Sequence, residues 1–256
     1  MAGRPKDPDE ILAPFAEEYR RVYGDGLEAI VLYGSAARGE YDRKRSDINF
    51  LIVLDDEAIL DLEKAFDSVK RWEKRGVAIP IFLTRSYIDG VLDSYPLEFL
   101  DMKSAYQTVC GEDVLAGLEI RRESVRLQCE KEARGHLLHL RRGYLASGGK
   151  GGPLRNLVEA SLPGYYALFR GLAWLLGRGE TLSPKEATRR VCDRFGLNRE
   201  VFEELERIRL GEKRGRLEMV RIVDRYLEEA RKLVLTVDRM GAEMQSGGDS
   251  EDANDR

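Results

Sequence analysis

The sequence has few cysteines and no long apolar run. Its 3 cysteines, Cys110, Cys129 and Cys192, are far apart and odd in number. This spacing excludes a disulfide framework and predicts reduced thiols in a cytoplasmic protein. The longest apolar stretch, 165–177, is interrupted by Arg170 and is too short to cross a bilayer, so no membrane partner is expected. The polar first ten residues do not resemble a secretory signal peptide.

An excess of positive charge is also absent. The chain of 256 residues carries 42 Lys and Arg against 46 Asp and Glu, a formal net charge of -4. A slightly acidic chain is not expected to coat nucleic acid, so we predict no nucleic-acid partner. With 34% charged and 43% hydrophobic residues, the composition indicates a globular protein and excludes collagen-like and wholly disordered classes. The length fits one large domain or two modest ones.

Short apolar runs and helical periodicity alternate in the first hundred residues. Two compact apolar runs, 29–33 and 50–54, predict buried strands. A third strand is predicted over 77–84, where Pro80 favours an edge position. Helices are predicted over 10–23 and 57–75 from the spacing of apolar residues. This order predicts an α+β fold, a small mixed sheet with flanking helices.

Helical periodicity alone fills the second half of the chain. The predicted helices cover residues 121–146, 154–176, 183–195, 199–210 and 214–244. Ser183, Pro184 and Glu186 give the spacing of a capping box at the start of one of them. The aromatic residues predicted to form the core of this bundle are Tyr165, Tyr166, Phe169 and Trp174. We therefore predict three parts: an α+β domain over 1–112, an all-α helical bundle over 113–244, and a disordered acidic tail over 245–256.

One segment has a pattern typical of a phosphate site. The strand over 29–33 leads into Gly34 and Ser35, and the second strand begins beside Asp47. Gly34 would let the backbone approach a phosphate closely, and Ser35 could donate from its amide and its hydroxyl. Asp47 and Asn49 alternate with Ile48, so we expect both on one face of the strand. A carboxylate beside such a loop is typical of a site for a magnesium nucleotide.

The segment over 34–49, GSAARGEYDRKRSDIN, resembles the minimal nucleotidyltransferases of the DNA polymerase beta superfamily, which include the aminoglycoside nucleotidyltransferases. In that family an apolar strand leads to Gly-Ser, and Asp-x-Asp or Asp-x-Glu follows in a second strand. The resemblance covers residues 10–110, and a helical C-terminal domain is usual in the family. It implies transfer of a nucleotidyl group, with adenylyl expected, from a nucleoside triphosphate to an acceptor that the sequence does not identify.

The resemblance also implies roles for particular residues. Gly34, Ser35 and Arg38 would bind the nucleotide, Asp47 and Asn49 would ligate magnesium, and Asp47 would be the catalytic residue. The sequence departs from the family twice, because the second metal carboxylate is Asn49 and the strand over 77–83 contains no acid. Only one of three expected carboxylates is present. We therefore predict a degenerate metal site, a pseudoenzyme candidate that binds a magnesium nucleoside triphosphate with transfer weak or lost.

Other acidic and basic residues near the motif leave further interpretations open. A replacement acid could come from Asp42, Glu98 or Asp101. The basic run Arg43, Lys44 and Arg45 could line a triphosphate or form a solvated loop.

Two alternative functions also stay open. The missing acids favour a non-catalytic, antitoxin-like or regulatory module that kept the fold and binds a protein partner. The spacing of Arg134 and His139 also fits a HEPN-like helical ribonuclease. His136 and His139, the 2 histidines of the chain, could alternatively form a metal pair.

Overall fold

Two units divide the chain, residues 1–121 and residues 122–256. The structure, a computed structural model, describes residues 3–44, 46–177 and 182–251. The division falls after 121 rather than after 112, because Val114 and Leu115 are buried in the core of the first unit. The chain after β4 therefore completes the N-terminal core before the first helix of the second unit begins.

A four-stranded mixed sheet organises the N-terminal unit. Its strands lie in the order β3-β2-β1-β4, with β1 antiparallel to β2 and β4, and β2 parallel to β3. The elements are α1 (Asp9–Tyr23), β1 (Leu27–Tyr33), β2 (Asn49–Leu54), a 3-10 segment (Ala58–Ala65), α2 (Phe66–Glu73), β3 (Ile81–Thr84), α3 (Arg85–Val91), α4 (Pro96–Ser104) and β4 (Tyr106–Gly111). The predicted α+β fold class is confirmed.

Burial on both faces explains why the two central strands have continuous apolar sequences. On one face, Ile30 and Phe50 belong to the cluster that includes Phe15 of α1. On the other face, Val31 and Leu51 belong to the cluster that includes Phe99 of α4. A strand covered on both sides carries no polar alternation. The two strands predicted from these runs are confirmed, and β3 lies at an edge of the sheet as Pro80 indicated.

Three local features differ from the sequence-based expectation. The helix predicted over 57–75 begins as a 3-10 segment, because Asp61 has non-helical angles (φ -108°, ψ 41°). The strand predicted over 77–84 pairs continuously only from Ile81, and Val77 makes an isolated bridge to Ile48. Pro80 has no N–H to donate, which accounts for the shorter strand. The sequence did not predict α3, α4 or β4.

The second unit is a bundle of helices, as predicted. They are α5 (Arg122–Ser147), α6 (Gly151–Leu176), α7 (Pro184–Phe195), α8 (Arg199–Arg209) and α9 (Arg216–Glu251). The capping box at Ser183 and Glu186 is present at the start of α7. The rings of Tyr165 and Phe169 pack within the core, where Phe202 of α8 lies 5.0 Å from Phe169 between ring centroids. Buried aromatic rings thus join the helices of this unit.

The end of the chain differs from a wholly unstructured tail. The last helix continues to Glu251, so its backbone includes residues 245–251 of the predicted tail. Residues 252–256 of that tail lie outside the described residues. Among the described residues, no helix is both long and apolar enough to cross a membrane.

Candidate nucleotide site

A tight turn follows β1 at the end of the sheet, with Gly34 buried and Ser35 partly exposed. Gly34 has a φ of +81°, a conformation that favours glycine because it lacks a Cβ. Its amide donates to the carbonyl of Ala105 at 3.3 Å, and its carbonyl accepts from the amide of Arg38 at 3.1 Å. The amide of Glu40 donates to the carbonyl of Ser35 at 2.9 Å. These bonds hold residues 34–40 in a closed turn with Ser35 at its start.

Asn49 lies directly beside this turn. The register pairs Asn49 with Tyr33, the residue before Gly34. A Cβ at Gly34 would lie 3.2 Å from Nδ2 of Asn49, which is a tight contact. Between the two predicted metal ligands, Ile48 is fully buried, as the alternation predicted. The sheet therefore brings the Asn49 amide against the backbone of the Gly34 turn.

Asp47 is already engaged by an arginine from the N-terminal segment. A guanidinium nitrogen of Arg4 donates to Oδ1 of Asp47 at 2.9 Å, with 57% of the Asp47 side chain exposed. The other terminal nitrogen of Arg4 donates to the carbonyls of Ser46 at 3.0 Å and Arg43 at 3.3 Å. The candidate catalytic carboxylate thus has a cation beside it that the sequence analysis did not identify.

Arg38, predicted to bind the nucleotide, is directed to α4 instead of to open solvent. Its guanidinium donates to Oγ of Ser104 at 3.0 Å and lies 3.7 Å from Asp101. It also donates to Glu40 at 3.3 Å, and its side chain is 18% exposed. Burial, with Asp101 adding to the effect, raises the pKa of Tyr33 to about 12. In this arrangement Arg38 links the Gly34 turn to α4.

The acids proposed as replacements have other structural partners. Asp42 accepts from the amide of Lys44 at 2.8 Å and caps its own loop, while Asp101 lies beside Arg38. Glu98 lies in the first turn of α4. The segment where the resemblance implies a third acid, 77–83, contains none, and Ile79 within it is 65% exposed. Within residues 3–44, 46–177 and 182–251, no three His, Cys, Asp or Glu side chains are placed to hold a metal ion together.

The histidines of the helical unit lie in a different setting. A cavity of about 520 Å³ between α5 and α6 is lined by His136 and His139. Burial lowers the pKa of His136, whose Nε2 lies 3.6 Å from Glu132. Arg134, in contrast, donates to Asp238 of α9 at 2.9 Å. The two residues of the ribonuclease interpretation therefore contact different neighbouring helices.

Comparison with known proteins agrees with this architecture. Residues 15–94 match the family model described as a nucleotidyltransferase domain. Among solved structures, the spectinomycin adenyltransferase AAD(9) from Enterococcus faecialis, crystallised with ATP and spectinomycin, is similar in fold. The match has a TM-score of 0.50 at 13% identity and covers 86% of this chain and 99% of that chain. Residues 15–94 of the N-terminal unit are therefore similar to a nucleotidyltransferase domain. A search of curated protein sequences gives no match.

Within this nucleotidyltransferase-like domain, the structure brings some of the predicted site residues together and gives others a different partner. Gly34, Ser35 and Asn49 lie at one end of β1 and β2, and Asp47 lies two residues before β2. Arg38 is tied to α4. Arg4 was missed because it is 43 residues away from Asp47 in sequence and belongs to no motif. The residues around Arg4 in the sequence are mostly polar or charged, and they form no pattern that predicts a contact with Asp47.

Proposed function

We propose that the nucleotidyltransferase-like domain binds a nucleoside triphosphate at the turn of Gly34 and Ser35, with transfer of the nucleotidyl group weak or lost. The observation that carries the proposal is the close approach of Asn49 to the side-chain-free Gly34. This contact brings a polar amide to a partly exposed turn that follows a buried strand. Such a turn can present its N–H groups to phosphate oxygens.

Individual residues have distinct parts in this proposal. The Ser35 amide and hydroxyl would donate to the terminal phosphates. Arg38 would act by holding the turn against α4, since its guanidinium is engaged with Ser104 and Glu40. An adenine nucleotide is the expected donor, because the solved adenyltransferase of similar fold was crystallised with ATP. The acceptor, and the pocket that would hold it, are left open by the proposal.

The donor set fits one magnesium ion held together with a nucleotide. Magnesium is often bound through one or two carboxylates, with phosphate oxygens and water completing its shell. Asp47 and Asn49 would hold the ion, and it would supply positive charge to the triphosphate. The set does not fit a two-metal clamp, which requires several negative ligands close together. Loss of one electrostatic catalytic contact costs about 3 kcal/mol, roughly a hundredfold in rate, so two losses would leave little transfer.

Titration of ATP with magnesium into the full chain tests the binding proposal. We expect saturable binding that Ser35→Ala and Asp47→Ala weaken. The matched control is Ser94→Ala, which removes an exposed serine hydroxyl of the same unit that donates to Asp93 at 3.1 Å. Absence of saturable binding, or equal binding by all variants, would sink the proposal.

A non-catalytic regulatory module is the second candidate function, and one specific observation favours it. The one carboxylate that the motif retains, Asp47, is paired with Arg4. Restoring acids separates the candidates: Asn49→Asp with Ile79→Glu should produce nucleotidyl transfer from a degenerate enzyme. Labelled ATP and a panel of aminoglycoside and protein acceptors provide the assay. Transfer by the unaltered chain would exclude the regulatory module, and no transfer by the double variant would favour it.

A further inference from the structure

The N-terminal segment crosses the loop that carries Asp47. The Arg4 guanidinium makes three hydrogen bonds there, one to the Asp47 carboxylate and two to backbone carbonyls. Tyr41 also donates its hydroxyl to the carbonyl of Pro5, at 3.5 Å. Two neighbouring N-terminal residues therefore contact the same loop. The contact with Asp47 is therefore one of several hydrogen bonds that join the N-terminal segment to this loop.

Gly76 provides the space in which the Arg4 side chain lies. A Cβ at Gly76 would come within 2.8 Å of both Cγ and Nε of Arg4, and Gly76 has a φ of +84°. The neighbouring Val77 bridges Ile48, the residue after Asp47. A side-chain-free position at the entry to the third strand thus accommodates the arginine stem beside the carboxylate. This second observation is independent of the ion pair itself.

A guanidinium and a divalent cation compete for the same carboxylate. Asp47 carries one negative charge, and the Arg4 guanidinium already balances it, so a divalent cation that binds this carboxylate is repelled by the guanidinium while the pair is closed. Both side chains are partly exposed, 37% for Arg4 and 57% for Asp47, so the pair is of the weak, solvent-screened kind. A weak pair can open readily. The apparent affinity for a competing cation is then the intrinsic affinity multiplied by the fraction of molecules in which the pair is open.

We infer that Arg4 is a built-in counter-cation of Asp47, a latch that weakens the binding of divalent cations to this carboxylate until a cation or a magnesium nucleotide displaces it. The inference rests on the proposed function only in that Asp47 is the expected metal ligand. In the closed state the carboxylate charge is already balanced. Binding of the cation is then coupled to release of residues 3–5 from the 41–47 loop.

Titration of Mn²⁺ into the full chain tests the latch without a nucleotide. The EPR signal of free Mn²⁺ measures how much of the ion is bound. Mn²⁺ shares the oxygen-ligand preference of Mg²⁺. Arg4→Ala should bind Mn²⁺ about two- to sixfold more tightly than the unaltered chain, the range expected for opening an exposed ion pair. Arg4→Lys should lie between the two, since lysine keeps the charge and loses the forked donor geometry. Adding Asp47→Asn to Arg4→Ala should abolish this increase in Mn²⁺ affinity.

A matched control removes another exposed, paired arginine of the same unit. Arg71 of α2 pairs with Glu18 of α1 at 2.5 Å, and Arg71→Ala should leave Mn²⁺ binding unchanged. Equal Mn²⁺ binding by Arg4→Ala and the unaltered chain, including no binding by either, would overturn the latch. A gain that persists after Asp47→Asn would also overturn it. Failure of ATP binding with a preserved Mn²⁺ gain would sink the proposed function alone.

Discussion

Adding one methyl group at Gly34 should weaken nucleotide binding, whereas adding it at Gly39 should lower stability without affecting binding. Gly34 and Gly39 lie in the same turn with similar positive φ angles, +81° and +73°. Their surroundings differ. A Cβ at Gly34 would meet Nδ2 of Asn49 at 3.2 Å, whereas a Cβ at Gly39 would find no atom within 4 Å. Gly34→Ala and Gly39→Ala therefore form a matched pair.

The magnitudes follow from these two observations. An L-residue in the left-handed region costs roughly 1–2 kcal/mol, so both substitutions should lower the free energy of unfolding by about that amount. Only Gly34→Ala also pushes the Asn49 amide away from the turn. If that amide and the turn bind the triphosphate together, Gly34→Ala should weaken ATP binding by about tenfold, equivalent to about 1.4 kcal/mol. Gly39→Ala should leave ATP binding nearly unchanged.

Fluorescence separates stability of the N-terminal unit from that of the bundle. Of the 2 tryptophans, Trp72 lies in α2 and Trp174 in α6. Trp72 is 4% exposed, so its emission should change when the N-terminal unit unfolds. Urea unfolding in a Trp174→Phe background then measures the first unit, and ATP titration measures binding. ATP binding lost equally in both variants, or retained in both, would refute the assignment of Gly34 and Asn49 to the site.

Three further predictions concern the helical unit. Phe169→Ala should lower its free energy of unfolding by about 3–5 kcal/mol, because the ring is fully buried; urea unfolding measures this, and a loss under about 1 kcal/mol would contradict it. Ser183→Ala should cost about 1 kcal/mol by removing the capping box, measured by thermal unfolding against Ser183→Thr, which keeps the cap. Burial lowers the pKa of His136, so as the pH falls this imidazole is protonated in the unfolded chain before it is protonated in the folded chain. Stability present above about pH 6.5 should be lost below it, and His136→Gln should reduce that loss; identical pH profiles would disprove the reasoning.

The parts of the fold that were predictable are those whose sequence pattern depends on burial alone. The strands β1 and β2 are continuous apolar runs because helices cover both of their faces. The capping box of α7 is a local pattern, so Ser183 and Glu186 could be identified without a structure. In contrast, β4 is half-buried along most of its length and has no continuous apolar run. Its pairing with β1 is a contact between segments distant in sequence.

The candidate site also has features that could be predicted from the sequence and others that could not. The spacing of Gly34, Ser35, Asp47 and Asn49 was sufficient to predict the nucleotidyltransferase-like domain, because the first two residues follow β1 and the other two lie at the start of the adjacent β2. The role of Arg38 was not predictable, since its partner Ser104 lies 66 residues further along the chain. An arginine near a phosphate motif can face a ligand or a neighbouring helix. Only the position of α4 decides between these.

The sequence by itself determined the fold class and the motif, including the absence of two expected acids. These depend on residue type and local spacing, which the chain carries directly. Only the tertiary structure decided which charges meet, because an ion pair depends on distance and shared exposure instead of sequence separation. Arg4 and Asp47 are 43 residues apart and meet at 2.9 Å. The carboxylate that the motif retained is, in the folded chain, the one that an arginine already holds.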